Sequence, residues 1–213
     1  MKLYHHPVSS YSQKALIALY EKEIAFTPEI INMMDPAVRA EYAKVSPMGK
    51  MPLLVLDDGR KIFEASIIVE HLDVHHPDSG TRLIPENRAA ALEARFLDRV
   101  FDLYINDNIV KLFFDSMAPE AERDHRGVTA AKAALDKAYA MLDEVLAGRT
   151  WAIGDTFTIA DCAAAPPLFY AHMAYPFEHK NLVAYTRRLA ERPSYARVTR
   201  EAAPYMAMFQ GAR

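Results

Sequence analysis

Cysteine is nearly absent: Cys162 is the one thiol in 213 residues. A lone cysteine closes no internal disulfide and supplies no thiolate metal cluster, so a reducing cytoplasm is the expected setting. Long apolar runs are also missing, and none approaches the roughly 20 residues that a bilayer-spanning helix requires. The start, Met1-Lys2-Leu3-Tyr4-His5-His6-Pro7, meets polar residues and a proline too early for the apolar centre of a secretory signal. Neither export nor membrane insertion is expected. An excess of basic charge is lacking too: 25 basic against 28 acidic side chains leave a formal net charge of -3, with no patch for phosphate backbones. Nucleic acid is not an expected partner. Repeats and low-complexity tracts do not occur. His5-His6 and His75-His76 are adjacent pairs, and neighbours on a strand face opposite ways, so no metal site is expected from them.

What is present is a chain with 51% hydrophobic residues, enough to bury a substantial core. Its first part alternates short strand-like and helical segments, the pattern of an α/β unit. Leu3 to His5 reads as a strand, and Ser10 to Lys22 as a helix with Ala15, Leu16, Ala18 and Leu19 on its apolar side. Ile24 to Ile31 returns to strand, and Asp35-Pro36 opens a helix to about Val45, with a capping carboxylate and a proline at the first position. Leu53 to Leu56 and Lys61 to Phe63 flank Asp57-Asp58-Gly59 as a hairpin, and a helix from Ala65 to about Val74 follows. Pro77-Asp78-Ser79-Gly80 and Pro85 mark a linker.

Beyond Glu86 helical periods dominate. Arg88 to Asp115 reads as one long helix. Ala131, Leu135, Ala138, Met141, Leu142 and Val145 form one stripe of the next. Thr158-Ile159-Ala160-Asp161 has the form of a capping box, and Cys162 just after it reads as a small buried residue. The expected organisation is an α/β domain over 1–78, a linker over 79–87 and an all-helical domain over 88–213.

Three features carry chemistry. Ser9-Ser10-Tyr11-Ser12 lies where the first helix begins, and a helix N-terminus with unpaired amides and partial positive charge favours a thiolate over a thiol. Lowering a thiol pKa of about 8.5 by two units takes roughly 2.7 kcal/mol, within reach of a hydroxyl hydrogen bond together with the helix end. A serine here also serves as a plain N-cap. Gly49-Lys50-Met51-Pro52 precedes a strand; with a cis bond at Pro52, the amide and carbonyl of Met51 would turn outward to pair with an extended peptide. Glu64-Ala65-Ser66 opens the helix after the hairpin, where free amides could receive a carboxylate and Glu64 an ammonium group.

These stretches, from Ser9-Ser10-Tyr11-Ser12-Gln13-Lys14 through Ala43 to Pro52 and Phe63 to Leu72, resemble the thioredoxin-like domain of the glutathione transferase family. Phe157-Thr158-Ile159-Ala160-Asp161 resembles that family's buried capping box, so the likeness covers nearly the whole chain. The resemblance implies an N-terminal thioredoxin-like domain, a C-terminal helical bundle, and attack of the glutathione thiolate on a small hydrophobic electrophile, as in detoxification, without a metal. Ser9 matches the thiol-activating serine, with Ser10 or a backbone amide as the other candidates. Met51 would pair with the cysteinyl part, Lys50 with the glycyl carboxylate, and Glu64 with the amides of Ala65 and Ser66 would hold the γ-glutamyl end. Relatives most often carry serine directly after that glutamate, where this chain has Ala65.

An electrophile pocket is expected between the domains, lined by Pro7, Val8 and Tyr11 and by Tyr104, Asn108, Lys111 and Phe114. Glu93, Arg95, Asp98, Arg99 and Asp102 form a charge-rich stretch that reads by itself as a solvated face. In the family the same region joins a twofold dimer, so a homodimer is expected. Two other outcomes fit the resemblance. The Ser9-Ser10 doublet is similar to that of zeta-type isomerases, which carry cysteine where Tyr11 stands here. A non-catalytic glutathione-binding or interaction protein would keep the fold and lose turnover.

Overall fold

The structure, a computed structural model, describes residues 1–210. The described chain forms two compact units, 1–83 with 193–210 and 84–192.

The first unit is built on a four-stranded mixed sheet in the order β2-β1-β3-β4. β1 (Lys2–His5) pairs in parallel with β2 (Thr27–Ile30) across the helical crossover α1 (Ser10–Glu21), the connection that parallel neighbours require. β1 also pairs antiparallel with β3 (Leu53–Val55), which forms the hairpin with β4 (Lys61–Phe63). β2 is shorter than the expected 24–31 because Ile24–Phe26 make the approach from α1, with the Ile24 amide still bonded to the Leu19 carbonyl. α2 (Pro36–Val45) starts as its sequence implies, with Asp35 Oδ1 accepting the amides of Ala37 at 2.8 Å and Val38 at 3.4 Å. α3 (Ala65–His75) follows β4.

α1 is buried well beyond the expected apolar side. Ser12, Gln13, Lys14, Ile17 and Glu21 join Ala15, Leu16, Ala18 and Leu19 in the core. It packs against α3 and also against α9 (Pro193–Gln210), which lies in the sequence stretch read as the helical domain but clusters with the sheet. Polar anchors fix that arrangement. Lys22 Nζ reaches Asp73 Oδ1 at 2.9 Å with both groups buried, and the same oxygen accepts the Leu83 amide at 2.8 Å. Glu21 accepts the Thr81 hydroxyl and the Ser194 hydroxyl, each at 2.6 Å. Gly80, at φ +50, lies so close to α1 that a Cβ there would collide with the Glu21 carbonyl. The stretch read as a linker is thus tied down over residues 80–83.

In the second unit the expected long helix has three parts: α4 (Arg88–Val100), a π-helical stretch (Phe101–Asn106) and α5 (Asp107–Met117). The wider π turn lies where Asp98, Asp102 and Asn106 are all buried, a local deviation that the 3.6-residue pattern does not announce. Asp98 and Asp102 share the Arg99 guanidinium, at 2.7 and 2.6 Å, and Glu93 meets Arg149 at 2.7 Å. The charge-rich stretch is therefore largely paired within the unit. Asp98 and Asp102 depart from the expected solvated face by being buried, while Glu93 and the Arg99 guanidinium that pairs with both aspartates stay substantially exposed. α6 (His125–Val145) buries Ala131, Leu135, Ala138 and Leu142 of its stripe, with Met141 and Val145 half-buried and Tyr139 added.

α7 (Ile159–Ala174) begins with the capping box, and Cys162 inside it is fully buried. α8 (Lys180–Glu191) packs on α6 and α7. Asp161 is wholly buried; Oδ1 accepts the Ala152 amide at 2.8 Å and the Tyr185 hydroxyl at 2.7 Å. Oδ2 accepts the Thr158 amide at 2.7 Å and its hydroxyl at 3.1 Å. Burial pushes the Asp161 carboxyl up to about 6, against these four hydrogen bonds that hold it down. Since the folded value lies above the unfolded one of about 3.9, the stability this carboxyl contributes is complete below the unfolded value and is lost as the pH rises through the folded one. Asp161→Ala should lower the unfolding free energy at pH 7 by about 3 kcal/mol, because several buried donors lose their acceptor. In urea titrations the gap from wild type should widen as the pH is taken from 7 towards 4.

Candidate functional site

The sheet register brings the three sequence features to one place. Tyr4, Leu53 and Phe63 stand side by side across β1, β3 and β4. The chain leaving β1 towards Ser9, the chain entering β3 through Met51-Pro52, and the chain leaving β4 at Glu64 therefore all cross the same end of the sheet. α1 and α3 start at that end, so their free N-terminal amides gather there as well.

Ser9 is the N-cap of α1, in extended backbone conformation, and its hydroxyl accepts the Ser12 amide at 3.3 Å. A hydroxyl that accepts one bond still has its proton to donate. The turn is rigid: the Ser9 amide donates to the His6 carbonyl at 3.0 Å, and the Ser9 carbonyl accepts the Gln13 amide at 2.8 Å. Ser10 is the first helical residue, and both serines are partly exposed.

The Met51-Pro52 bond is cis, which the sequence left open. Pro52 is buried at the head of β3, Met51 is half-buried, and Lys50 is exposed. The Lys50 carbonyl is held by the Tyr42 hydroxyl at 2.8 Å and the Ser46 hydroxyl at 3.2 Å. Gly49 turns the preceding loop at φ +63. The amide and carbonyl of Met51 take no backbone partner among the described residues, so an extended ligand could supply one.

Glu64 carries an unusual backbone. Its φ is +66 in a residue other than glycine, and its side chain makes no cap to α3. Such a conformation costs about 1–3 kcal/mol and persists where the surroundings impose it. Glu64 is exposed, while Ala65 is buried and Ser66 half-buried. Lys14, on α1 and almost fully buried, donates from Nζ to Ser66 Oγ at 2.8 Å. Sequence reasoning assigned Lys14 no role; its position beside Ala15 on the packed side of α1 was the available signal.

The expected pocket residues fall in both units. In the first, Pro7 is buried with its carbonyl accepting Gln13 Nε2 at 2.8 Å, the Val8 amide lies 3.4 Å from His6 Nδ1, and Tyr11 is half-buried. In the second, Asn108 Nδ2 donates to the Tyr104 carbonyl at 2.8 Å, and Lys111 pairs with Asp124 at 2.7 Å. Phe114 is exposed and meets Phe113 edge-on at 5.4 Å between ring centroids. A cavity of about 690 Å³ in the first unit, between the end of α1, β2 and α9, includes Pro7 and none of the other expected residues. Among the described residues, no group of three or more His, Cys, Asp or Glu could hold a metal ion.

A four-stranded mixed sheet with a cis-proline strand head, followed by a helical unit, is a thioredoxin-like fold joined to a helical domain. Comparison with known proteins agrees. Residues 3–80 match the glutathione S-transferase N-terminal domain family and residues 105–193 its C-terminal domain family. The solved glutathione S-transferase of Methylobacterium radiotolerans, in complex with glutathione sulfonate, is 30% identical, with a TM-score of 0.80 over 93% of this chain and 94% of that one. Glutathione S-transferase GstA of Escherichia coli O157:H7 is 29% identical over 91% of this chain and 94% of its own length. The stringent starvation protein A homolog of Coxiella burnetii is also 29% identical, over 92% of this chain and 89% of its own. The chain belongs to the glutathione S-transferase family.

The strained residue offers a test of its own. Glu64→Gly should raise unfolding stability by about 1 kcal/mol, since glycine adopts positive φ freely. Thermal unfolding of the variant beside wild type reads the effect.

Proposed function

We propose that this protein binds glutathione at the sheet end formed by Ser9, Met51 and Glu64–Ser66, and transfers its thiolate to small hydrophobic electrophiles. The observation that carries the reading is the convergence of three backbone-donor segments on one end of the sheet, one of them a helix start capped by a serine hydroxyl. The relative solved with glutathione sulfonate supports the same ligand. In this reading the γ-glutamyl end lies at α3, with its ammonium on Glu64 and its carboxylate on the amides of Ala65 and Ser66. The cysteinyl backbone pairs with Met51, Lys50 faces the glycyl carboxylate, and the thiol lies at the head of α1. Pro7, Val8 and Tyr11 flank the position where the electrophile meets it.

The step needs no metal. The thiolate sulfur forms a bond to the electrophilic carbon, the leaving group departs with its electron pair or the π bond takes up a proton, and the protein supplies thiolate fraction and alignment. A hydroxyl donating to the sulfur is worth about 1.5–3 kcal/mol, or one to two units of thiol pKa. Changing both Ser9 and Ser10 to Ala should raise the thiol pKa of bound glutathione by that much and slow conjugation at pH 6.5 more than tenfold. Thiolate absorbance near 240 nm and turnover of an activated aryl halide check it; a loss below tenfold assigns the sulfur to a backbone amide.

A second reading rests on the Coxiella relative, whose name is that of a starvation protein and not of a transferase. A chain that binds glutathione and turns over no member of an electrophile panel would be such an interaction module. In either case we read the protein as a cytoplasmic homodimer. Leu92, Phe96 and Leu103 are each at least half exposed and recur along α4 and the π stretch at near-helical spacing, an apolar face suited to its own copy across a twofold axis. Phe96→Glu should convert a dimeric mass to a monomeric one in sedimentation, leaving the far-ultraviolet spectrum unchanged.

A further inference from the structure

Adjacent histidines such as His75 and His76 diverge from the helix, but His75 has another histidine one turn back on α3. Residues four apart share a helix face, and the rings of His71 and His75 lie stacked there, with centroids 4.0 Å apart and planes at 30°. Solvent reaches the pair, since His75 is exposed and His71 half-buried. His75 Nδ1 lies 3.0 Å from the His71 carbonyl. A carbonyl oxygen only accepts, so Nδ1 carries the proton of the neutral ring and Nε2 keeps the lone pair. That is the tautomer of a metal-ligating histidine whose other nitrogen is held by a carbonyl.

We propose that His71 and His75 chelate one divalent transition-metal ion that favours imidazole, such as copper, nickel or zinc, on the last turn of α3. Two nitrogens bound at about 2.0–2.1 Å in a tetrahedral arrangement stand about 3.3 Å apart. The stack is already near that spacing, and the His71 ring reaches the ion by rotation about its side-chain bonds while His75 keeps its tautomer. Water completes the coordination. α3 ends at His75, so the ion lies at the negative end of the helix dipole. From the hairpin turn, Asp58 and Arg60 both act on His71, and they pair with each other at 2.7 Å, so the carboxylate offsets the repulsion of the guanidinium. Burial, with the charges of His75, Arg60 and His76, holds the His71 ring below the usual histidine range, which leaves it neutral and able to ligate at pH 7. The bound ion ties residue 71 to residue 75 across the turn that carries Asp73, the buried partner of Lys22. It therefore stabilises the fold, to the extent that it prefers the folded pair to the unfolded chain.

The test is calorimetric titration of the untagged full-length protein with copper, nickel, zinc and magnesium chlorides at pH 7, together with thermal unfolding. One ion per chain should bind, copper most tightly and magnesium not at all, and it should raise the melting temperature. His71→Gln and His75→Gln should each weaken binding about a hundredfold, because the second ligand is no longer already in place. His76→Gln should leave it unchanged. Binding should weaken steeply between pH 7 and pH 5 as protons take the nitrogens. The electron paramagnetic resonance of one equivalent of copper on wild type should show splitting by two nitrogens, a readout that requires no variant to fold. Equal affinity after both substitutions means an adventitious ion only and overturns the proposal, as does loss of binding in His76→Gln or a copper signal without two nitrogens. None of these outcomes bears on the glutathione site, which lies at the other end of α3.

Discussion

The buried contact between Lys22 and Asp73 sets the frame on which the first unit depends. Two charges with almost no solvent contact are stable only as partners, so α1 and α3 cannot slide past one another without exposing or orphaning one of them. The same Asp73 oxygen takes the Leu83 amide, and neighbouring Glu21 holds Thr81 and Ser194. One knot therefore fixes the parallel register of two helices, the exit of the chain from the sheet unit, and the return of α9 to it.

That register matters to the proposed site, which lies at the other ends of the two helices. Ser9 caps α1, and Ala65 and Ser66 open α3, so in that proposal a shift of either helix would separate the thiol end of glutathione from its γ-glutamyl end. The sheet supplies the third side through β3, where the cis Met51-Pro52 bond presents the backbone of Met51. The site is mostly backbone. Its side chains serve to orient hydroxyls and carboxylates on a frame that the buried ion pair has already fixed, and the strained backbone of Glu64 is tolerated inside that frame.

The second unit uses the same physics at its own centre. Asp161 is surrounded by donors from the Ala152 turn, the Thr158 cap and Tyr185 of α8, which joins the start of α7 to two segments distant in sequence. Family membership fixes this architecture, while relatives that include named transferases and a starvation protein show that such a frame has been put to more than one use.

Local signals in the sequence were sufficient for much of this. The Asp35-Pro36 helix start, the Thr158–Asp161 capping box and the burial of Cys162 follow from groups within four residues of one another, and the stretches around Ser9, Pro52 and Glu64 could be recognised as a set. The isomer of the Met51-Pro52 bond, the π turn over Phe101–Asn106, the pairing of Asp98 and Asp102 with Arg99, and the return of α9 to the sheet were decided only in the folded chain. The same holds for Lys14, whose partner Ser66 is 52 residues away. The physical reason is common to all of them. A cap or a helical stripe is satisfied by near neighbours along the chain, whereas a buried charge, a cis bond or a widened helical turn is stable only against groups that tertiary packing brings from elsewhere.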